Sequence, residues 1–366
     1  DYTTPRPDQD AGSYAALQEI RLVQSLGYKV TFLPANMAHL GKYTDDLQKM
    51  GVEVITAPFF LTMAEYLGKH AADFDAFYVT RYYVAESVIE QLRGFAPNAR
   101  VIFNNADLHF LREIRAAQAE GDPERLEKAR ETREKEVRII NEVDVVLSYN
   151  EVEHSVIQAY SEGQATVVKC PWVVDVAEAP APLDKRAGLS FLGSYRHHPN
   201  AEGVLWFLTD VMPIVNAKAG DQKLSLYGAG MTDDIKALES DQVDPVGFVD
   251  DIADAFDRHR IFIAPLRSGA GIKGKVLSAL AHGIPCVLTP VAAESIGLRS
   301  GYDCFIARTP EEWAEAIKKL STDDALWHSI AQNARDHIAE NFSFDHGRTA
   351  MREAFEASGI FLSNDV

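Results

Sequence analysis

Apolar residues along this chain fall in short continuous runs separated by stretches of helical period. Strand-like runs lie at 28–33, 52–57, 74–80, 100–104, 144–149 and 166–170. Between them are amphipathic stretches, among them 14–26, 131–142 and 152–160. Runs of four to eight apolar residues alternating with helical pattern predict βαβ units and a parallel sheet covered on both faces. After residue 170 the pattern breaks at Pro171-Trp172-Val173-Val174-Asp175, and alternating Ala and Pro at 178–182 read as a linker. Alternation then restarts, with strands expected at 189–192, 223–227, 245–249, 261–266, 285–289 and 304–307. Three helices, 311–320, 325–341 and 344–357, close the chain.

This predicts an α/β protein of two Rossmann-like domains facing across a cleft, at 1–172 and 173–342, with a C-terminal helical segment at 343–366. A length of 366 residues suits two domains. Ligands in such sheets bind at the carboxyl ends of the strands. Asp10 or Ser13 is expected to cap the first helix and Gly27 to stop it. A loop followed by a helix usually follows a strand, so a first strand is expected upstream of Asp1.

Composition narrows the function. The chain is 46% hydrophobic and 25% charged, an ordinary globular profile. No apolar run approaches the roughly 20 residues that span a bilayer. A formal charge of −18 argues against general nucleic-acid binding and against electrostatic docking on anionic membranes. Within that field Arg196, Arg267, Lys273 and Lys275 stand out, because a phosphate-bearing ligand needs a local basic pocket. Cys170, Cys286 and Cys304 each lie in or beside an apolar run and lack metal-ligand spacing, so buried free thiols in a reducing cytoplasm are expected.

The strongest chemical signal is residues 264–290. An apolar strand ends at Leu266, Gly269 and Gly271 permit unusual backbone angles, and a helix is expected over 276–281. A helix N-terminus offers free N–H groups and the positive end of a dipole. Lys273 and Lys275 are two apart, so a regular helix would point them to different sides. Both reach one phosphate only if Gly274 keeps the first turn irregular. The bland alternative is an ordinary solvated helix start.

A second candidate is Asp107 with His109, just after the strand at 100–104. Asp107 reads equally as an N-cap and His109 as a satisfied surface histidine. Arg81-Tyr82-Tyr83 would line an acceptor site or form a buried aromatic pair. His197-His198 has no partners at metal spacing, and no metal site is expected. Asp250-Asp251 is expected to cap the helix containing Phe256, and Trp172 to anchor a domain interface.

The second half resembles the nucleotide-sugar-binding domain of family 4 (group 1) glycosyltransferases with the GT-B fold. The residues that carry this are Phe191-Leu192-Gly193, His198-Pro199-Asn200, Trp206-Phe207, Leu226-Tyr227-Gly228-Ala229-Gly230, Val246-Gly247-Phe248-Val249-Asp250, the run from Pro265 through Ala270 to Lys273, and Ala281-His282-Gly283-Ile284-Pro285. The first half matches more weakly, through Asp10-Ala11-Gly12-Ser13, Asn105-Ala106-Asp107-Leu108-His109 and Ser148-Tyr149-Asn150-Glu151.

The resemblance implies transfer of a sugar from a nucleotide-sugar donor to a glycan or glycoconjugate acceptor, with retention and without a metal or other cofactor. It implies that Lys273, Lys275 and Arg196 meet the diphosphate, with Gly271 and Ile272 offering backbone N–H groups. Phe248, within 246–249, would line the base pocket. Glu294 and Ser295 would lie near the sugar or distal phosphate. Gly12 and Ser13 would face the diphosphate from the first domain, with His109 and Asp107 at the reacting sugar. It also implies that the last helix packs back on the first domain. A cytoplasmic location is expected, with attachment at the inner membrane or membership of a larger assembly left open.

One departure bears on activity. Family members usually carry a glutamate on the helix after the Gly-x-Gly turn, hydrogen-bonded to the donor ribose; here that residue is Ser278. Glu294 could substitute, the donor could be held differently, or activity could be lost. Ser278 therefore feeds the alternative of a non-catalytic nucleotide-sugar or glycan-binding module. A nucleotide-sugar epimerase is a third reading, without an assignable carboxylate pair.

Overall fold

The computed structural model describes residues 1–269 and 271–361. Ala270 of the Gly-x-Gly turn and residues 362–366 of the expected C-terminal segment lie outside the described residues. The chain divides into two compact units. One comprises residues 1–7, 12–172 and the segment from Asp345 on; the other comprises residues 8–11 and 173–344.

The first unit runs α1 (Ala11–Ser25), β1 (Thr31–Phe32), α2 (Lys42–Lys49), β2 (Glu53–Val54), α3 (Met63–His70), β3 (Ala76–Thr80), α4 (Tyr82–Phe95) and β4 (Arg100–Asn104). It continues with α5 (His109–Glu120), α6 (Pro123–Glu142), β5 (Val145–Ser148), α7 (Glu151–Tyr160) and β6 (Val167–Lys169). The second unit holds β7 (Leu189–Leu192), α8 (His198–Trp206), α9 (Met212–Ala219), β8 (Leu224–Tyr227), α10 (Asp233–Lys236), β9 (Val243–Gly247) and β10 (Ile261–Ala264). It ends with α11 (Gly274–Ala281), β11 (Cys286–Leu288), β12 (Phe305–Ile306), α12 (Pro310–Thr322) and α13 (Asp324–Asn341). A last helix, α14 (Phe344–Ala357), packs in the first unit, where Phe355 stacks on Tyr28 at 4.5 Å between ring centroids.

Every strand pairing is parallel, as the alternation predicts. The second unit has one six-stranded sheet in the order β12-β11-β10-β7-β8-β9. That is a doubly wound order, with its switch point between β7 and β10, where ligands bind in such sheets. Its central strands are fully buried from Ile261 to Ala264, and Trp313 of α12 is a large buried side chain beside them. The first unit has a four-stranded sheet, β3-β4-β5-β6, and a separate two-stranded pair, β1-β2.

Some local expectations change. The first helix begins at Ala11, three residues early, so Ser13 sits in its first turn and is no cap. The expected strands at 28–33 and 52–57 shrink to two residues each. Asp251 caps as expected, its carboxylate accepting the Ala253 N–H ahead of a short 3-10 turn. All three cysteines are buried and free. No helix among the described residues is long and apolar enough to cross a membrane.

Candidate functional site

At the switch point of the second unit, the loop after β7 meets the turn after β10. Gly193 is required there: a Cβ would lie 2.6 Å from the Lys275 Nζ and 2.8 Å from the Asn200 side chain. The turn itself holds Gly269 at φ 120° and Gly271 at φ 71°, angles that disfavour other residues. Lys273 has extended backbone, φ −99° and ψ 94°, and α11 starts at Gly274. Lys273 thus stands outside the helix and Lys275 inside its first turn. The irregularity needed for both lysines to serve one anion lies at Lys273, one residue earlier than Gly274.

Lys275 is the unusual group. Its Nζ donates to the Asn200 Oδ1 at 2.5 Å and lies 4.7 Å from the centre of the Phe191 ring. Asn200 is held in turn, its Nδ2 donating to the Ser194 carbonyl at 2.7 Å. Burial, and then the neighbouring Lys273 charge, push the Lys275 ammonium down to about 7. Among the described residues no carboxylate pairs with it. Lys273 donates to the Gly271 carbonyl at 2.6 Å. Burial also lowers the pKa of Lys273, opposed by the Glu294 carboxylate, so Glu294 belongs to this neighbourhood. A desolvated ammonium with donors to spare, beside a second lysine and a helix N-terminus, is an arrangement that can take an anion.

The other donor-side candidates are more scattered. Arg196 is exposed and lies over Gly230 on the loop after β8, where a Cβ would meet its Cγ at 2.6 Å. Phe248 follows β9 and is 48% exposed. Ile272 is half-buried in the turn. Ser295 adopts φ 63°, unusual for a non-glycine residue. Ser278 occupies the second turn of α11, three residues after Lys275 and on its side of the helix. Gly12 and Ser13 lie in the first turn of α1. Asn200 was visible in the sequence only as part of a motif; its role as the Lys275 acceptor required the fold.

A second cluster forms in the first unit at the carboxyl ends of β3 and β4. Its backbone is tightly bent: Arg81 has φ 77° and Ala106 φ 61°. The Arg81 N–H donates to the Asn104 carbonyl, and the Ala106 N–H to the Asn104 Oδ1. His109 opens α5 and is buried. Its Nδ1 lies 3.1 Å from the Asp107 carbonyl, 3.3 Å from the Asp107 Oδ1 and 3.5 Å from the Glu136 Oε1. The rings of Tyr82 and Tyr83 meet the imidazole edge-on at 5.0 and 5.8 Å. The aromatic pair at 82–83 therefore packs against the histidine.

The expectation that Asp107 caps α5 is corrected. The N-cap position is Leu108, with no side-chain cap. Glu136, buried on α6, caps from outside, accepting the N–H groups of His109 at 3.2 Å and Phe110 at 2.8 Å. Asp107 instead pairs with Arg112 and faces the imidazole. Burial alone would lower the pKa of His109. The hydrogen bond to Glu136 and the charges of Asp107 and Glu136 outweigh it, and the net shift is upward. With Nδ1 engaged, Nε2 is the ring atom left for a ligand. Glu136 was not legible in advance, because it lies 27 residues from His109 on a separate helix.

Known proteins resemble this chain in part of its sequence and in its fold. The family described as "Glycosyl transferases group 1" matches residues 186–323, the segment that holds the lysine site. That match is to a domain of the group 1 glycosyltransferases and spans less than half of the chain. An uncharacterized 44.6 kDa protein in the cps region of Klebsiella pneumoniae is 29% identical over 161 residues; the match spans 42% of each protein, so less than half of that relative. Anabaena HepE in complex with UDP is similar in structure, with a TM-score of 0.74 at 13% identity over 97% of this chain and 98% of that one. Sucrose-phosphate synthase from Thermosynechococcus elongatus gives 0.69 at 15% identity over 95% and 93%. These structural likenesses establish the GT-B fold.

Proposed function

We propose that the protein is a glycosyltransferase, moving a sugar from a uridine diphosphate sugar to a glycan or glycoconjugate acceptor, with retention and without a metal. The observation that carries the reading is Lys275, a desolvated ammonium with the Asn200 acceptor and, among the described residues, no carboxylate partner, at the N-terminus of α11. Departure of a nucleoside diphosphate develops charge on its terminal phosphate. Fixed donors there stabilise the transition state more than the ground state. Lys275 and Lys273 supply two full charges and α11 its free N–H groups. They do the work that a divalent ion does elsewhere, which is the reason for expecting none. The UDP complex of HepE supports the choice of base, and the cps-region relative supports a glycan acceptor.

His109 would meet the reacting sugar through Nε2. Its neighbours Asp107 and Glu136 favour the protonated ring, a donor suited to a sugar hydroxyl. The second reading, a nucleotide-sugar-binding module without turnover, is favoured by Ser278.

Calorimetric titration with UDP, ADP, GDP and dTDP tests the donor site. One base should bind, and Lys275→Met should weaken it by about one to two decades, the worth of a charged hydrogen bond of roughly 1.5–3 kcal/mol. Binding of none would overturn the donor reading. Binding without turnover of any UDP-sugar, with or without added EDTA, would favour the module.

A further inference from the structure

The turn between β4 and α5 carries Asp107 and His109, and its backbone is strained. Ala106 has φ 61°, a left-handed angle that a non-glycine residue seldom adopts. The Asp107 N–H doubles back to the Asn105 carbonyl at 2.7 Å. The turn sets the place of the Asp107 carbonyl, which lies 3.1 Å from the His109 Nδ1. Strain of this kind persists only where the surroundings fix the backbone. Whatever fixes residues 105–108 therefore also fixes the imidazole.

Two buried glutamates hold the turn, from two different helices. Glu136 of α6 takes the N–H groups of His109 and Phe110. Glu153 of α7 takes the other side. Its Oε2 accepts from the Asn105 Nδ2 at 3.1 Å, and its carboxylate also accepts the Leu108 N–H. Glu153 is 5% exposed and Asn105 fully buried. The Asn105 Oδ1 has no partner among the described residues, so the bond to Glu153 orients this amide. Glu153 is itself anchored in the first turn of α7, its N–H donating to the Asn150 Oδ1 at 2.8 Å. A helix start leaves its first N–H groups without partners. At α5 those of residues 108, 109 and 110 are taken by these two acids.

We propose that Glu153 is a positioning residue for the His109 site, holding residues 105–108 so that the Asp107 carbonyl keeps the imidazole aimed at the sugar. It acts through Asn105 and Leu108, not on the ring itself. The inference rests on the reading that His109 meets the reacting sugar through Nε2. Loss of the Glu153 carboxylate leaves a buried amide and a backbone N–H unpaired, and the turn shifts until they find water. Glu136 does not prevent this, because it holds residues 109 and 110 and leaves 105–108 free to move. A reacting group misplaced by about 1 Å loses roughly 10²-fold in rate.

The test compares Glu153→Ala, Glu153→Gln and Glu153→Asp with the wild type, each alone and combined with His109→Ala. The first readout needs no substrate: the nitrogen NMR spectrum of the His109 ring at a pH where it is neutral. The wild type should show one tautomer, protonated at Nδ1, and Glu153→Ala a mixture of two. Glu153→Gln keeps an acceptor oxygen of the same reach and should restore the single tautomer. The second readout is turnover of the UDP-sugar. Glu153→Ala should lower kcat about ten- to hundredfold with the donor KM unchanged, and should cost nothing further in a His109→Ala background. A wild-type ring spectrum in folded Glu153→Ala, or an equal fall in kcat with and without His109, overturns the proposal. Should Glu153→Ala fail to fold, Glu153→Asp, one methylene short, decides by the same two readouts. The failures are distinguishable. An unchanged kcat in His109→Ala defeats the reading of the site and the proposal with it. A lowered kcat there beside an unchanged kcat in Glu153→Ala defeats only the role of Glu153.

Discussion

Glu19 in the first unit and Lys275 in the second are ionisable helix side chains withdrawn from solvent, and the two are treated in opposite ways. Glu19 of α1 is surrounded by donors. Its carboxylate accepts from the Tyr78 hydroxyl at 2.9 Å, from the Asn104 Nδ2 at 3.0 and 3.1 Å, from the Tyr149 hydroxyl and, more weakly, from the Cys170 thiol at 3.6 Å. Lys275 of α11 has the Asn200 Oδ1 and an aromatic face. A buried polar group costs stability unless its bonds are made. Glu19 has its bonds made from within the fold; Lys275 is left short of acceptors. Completeness of the hydrogen-bond set is what separates Glu19 from Lys275, and on the proposed function the gap at Lys275 is left for the donor.

The sharpest way to break that contrast is to follow protons at Lys275. Its folded pKa of about 7 lies below the ordinary lysine value near 10.4. Between those values the unfolded chain holds a proton that the folded chain lacks, so stability from this group rises with pH across that window. Lys275→Met should remove that rise and cost the one to two decades of UDP affinity already stated. A bound diphosphate favours the charged ammonium. Titration at pH 8 in buffers of different ionisation enthalpy should therefore show proton uptake in the wild type and none in the variant. Uptake unchanged in Lys275→Met would make the contrast with Glu19 meaningless.

His109 falls between the two cases, buried like Glu19 but with one ring nitrogen free. If it meets the reacting sugar, His109→Ala lowers kcat at least about tenfold. An unchanged kcat in a folded variant would return His109 to a structural role. Glu136→Gln separates the roles further. It keeps the cap on α5 but weakens the pull on the imidazole, so the pKa of the kcat profile should move down.

Much of this was legible in the sequence, and the exceptions share a cause. Arg100–Asn104, Leu189–Leu192 and Phe344–Ala357 fall where the pattern places them, because buried parallel strands and amphipathic helices leave strong periodic signals. The strand pairs at 31–32 and 53–54 came out shorter than their apolar runs, since pairing depends on a neighbouring edge that local sequence does not report. In the same way Lys273 and Lys275 were visible as charges beside glycines. Asn200 and Glu136 were not visible as partners, since they lie 75 and 27 residues from the groups they hold.

Ser278 offers a smaller test of the donor side. It sits one turn beyond Lys275 on the same face. If the nucleotide is held as the group 1 resemblance implies, Ser278→Glu adds a charged acceptor for the ribose and tightens UDP by about tenfold. A loss of affinity instead would mean that the new carboxylate meets phosphate rather than ribose, and that Glu294 or another group already serves the sugar ring.

The smallest effect belongs to Glu19, and it checks the other side of the contrast. Burial raises its pKa, against the hydrogen bonds of Tyr149, Tyr78, Asn104 and Cys170, which lower it. The folded chain therefore keeps a proton at pH values where the unfolded chain has lost it. Stability from this group is full below the unfolded value near 4.3 and falls as pH rises through the folded pKa. Glu19→Gln keeps a similar shape and one acceptor oxygen but cannot ionise. Urea melts of the two proteins should show the variant gaining on the wild type as pH climbs above about 4.3, with no change in UDP affinity at any pH. A variant that tracked the wild type across the whole range would mean that the carboxylate is not perturbed by its burial. The distinction between a satisfied acid and a waiting base would then rest on Lys275 alone.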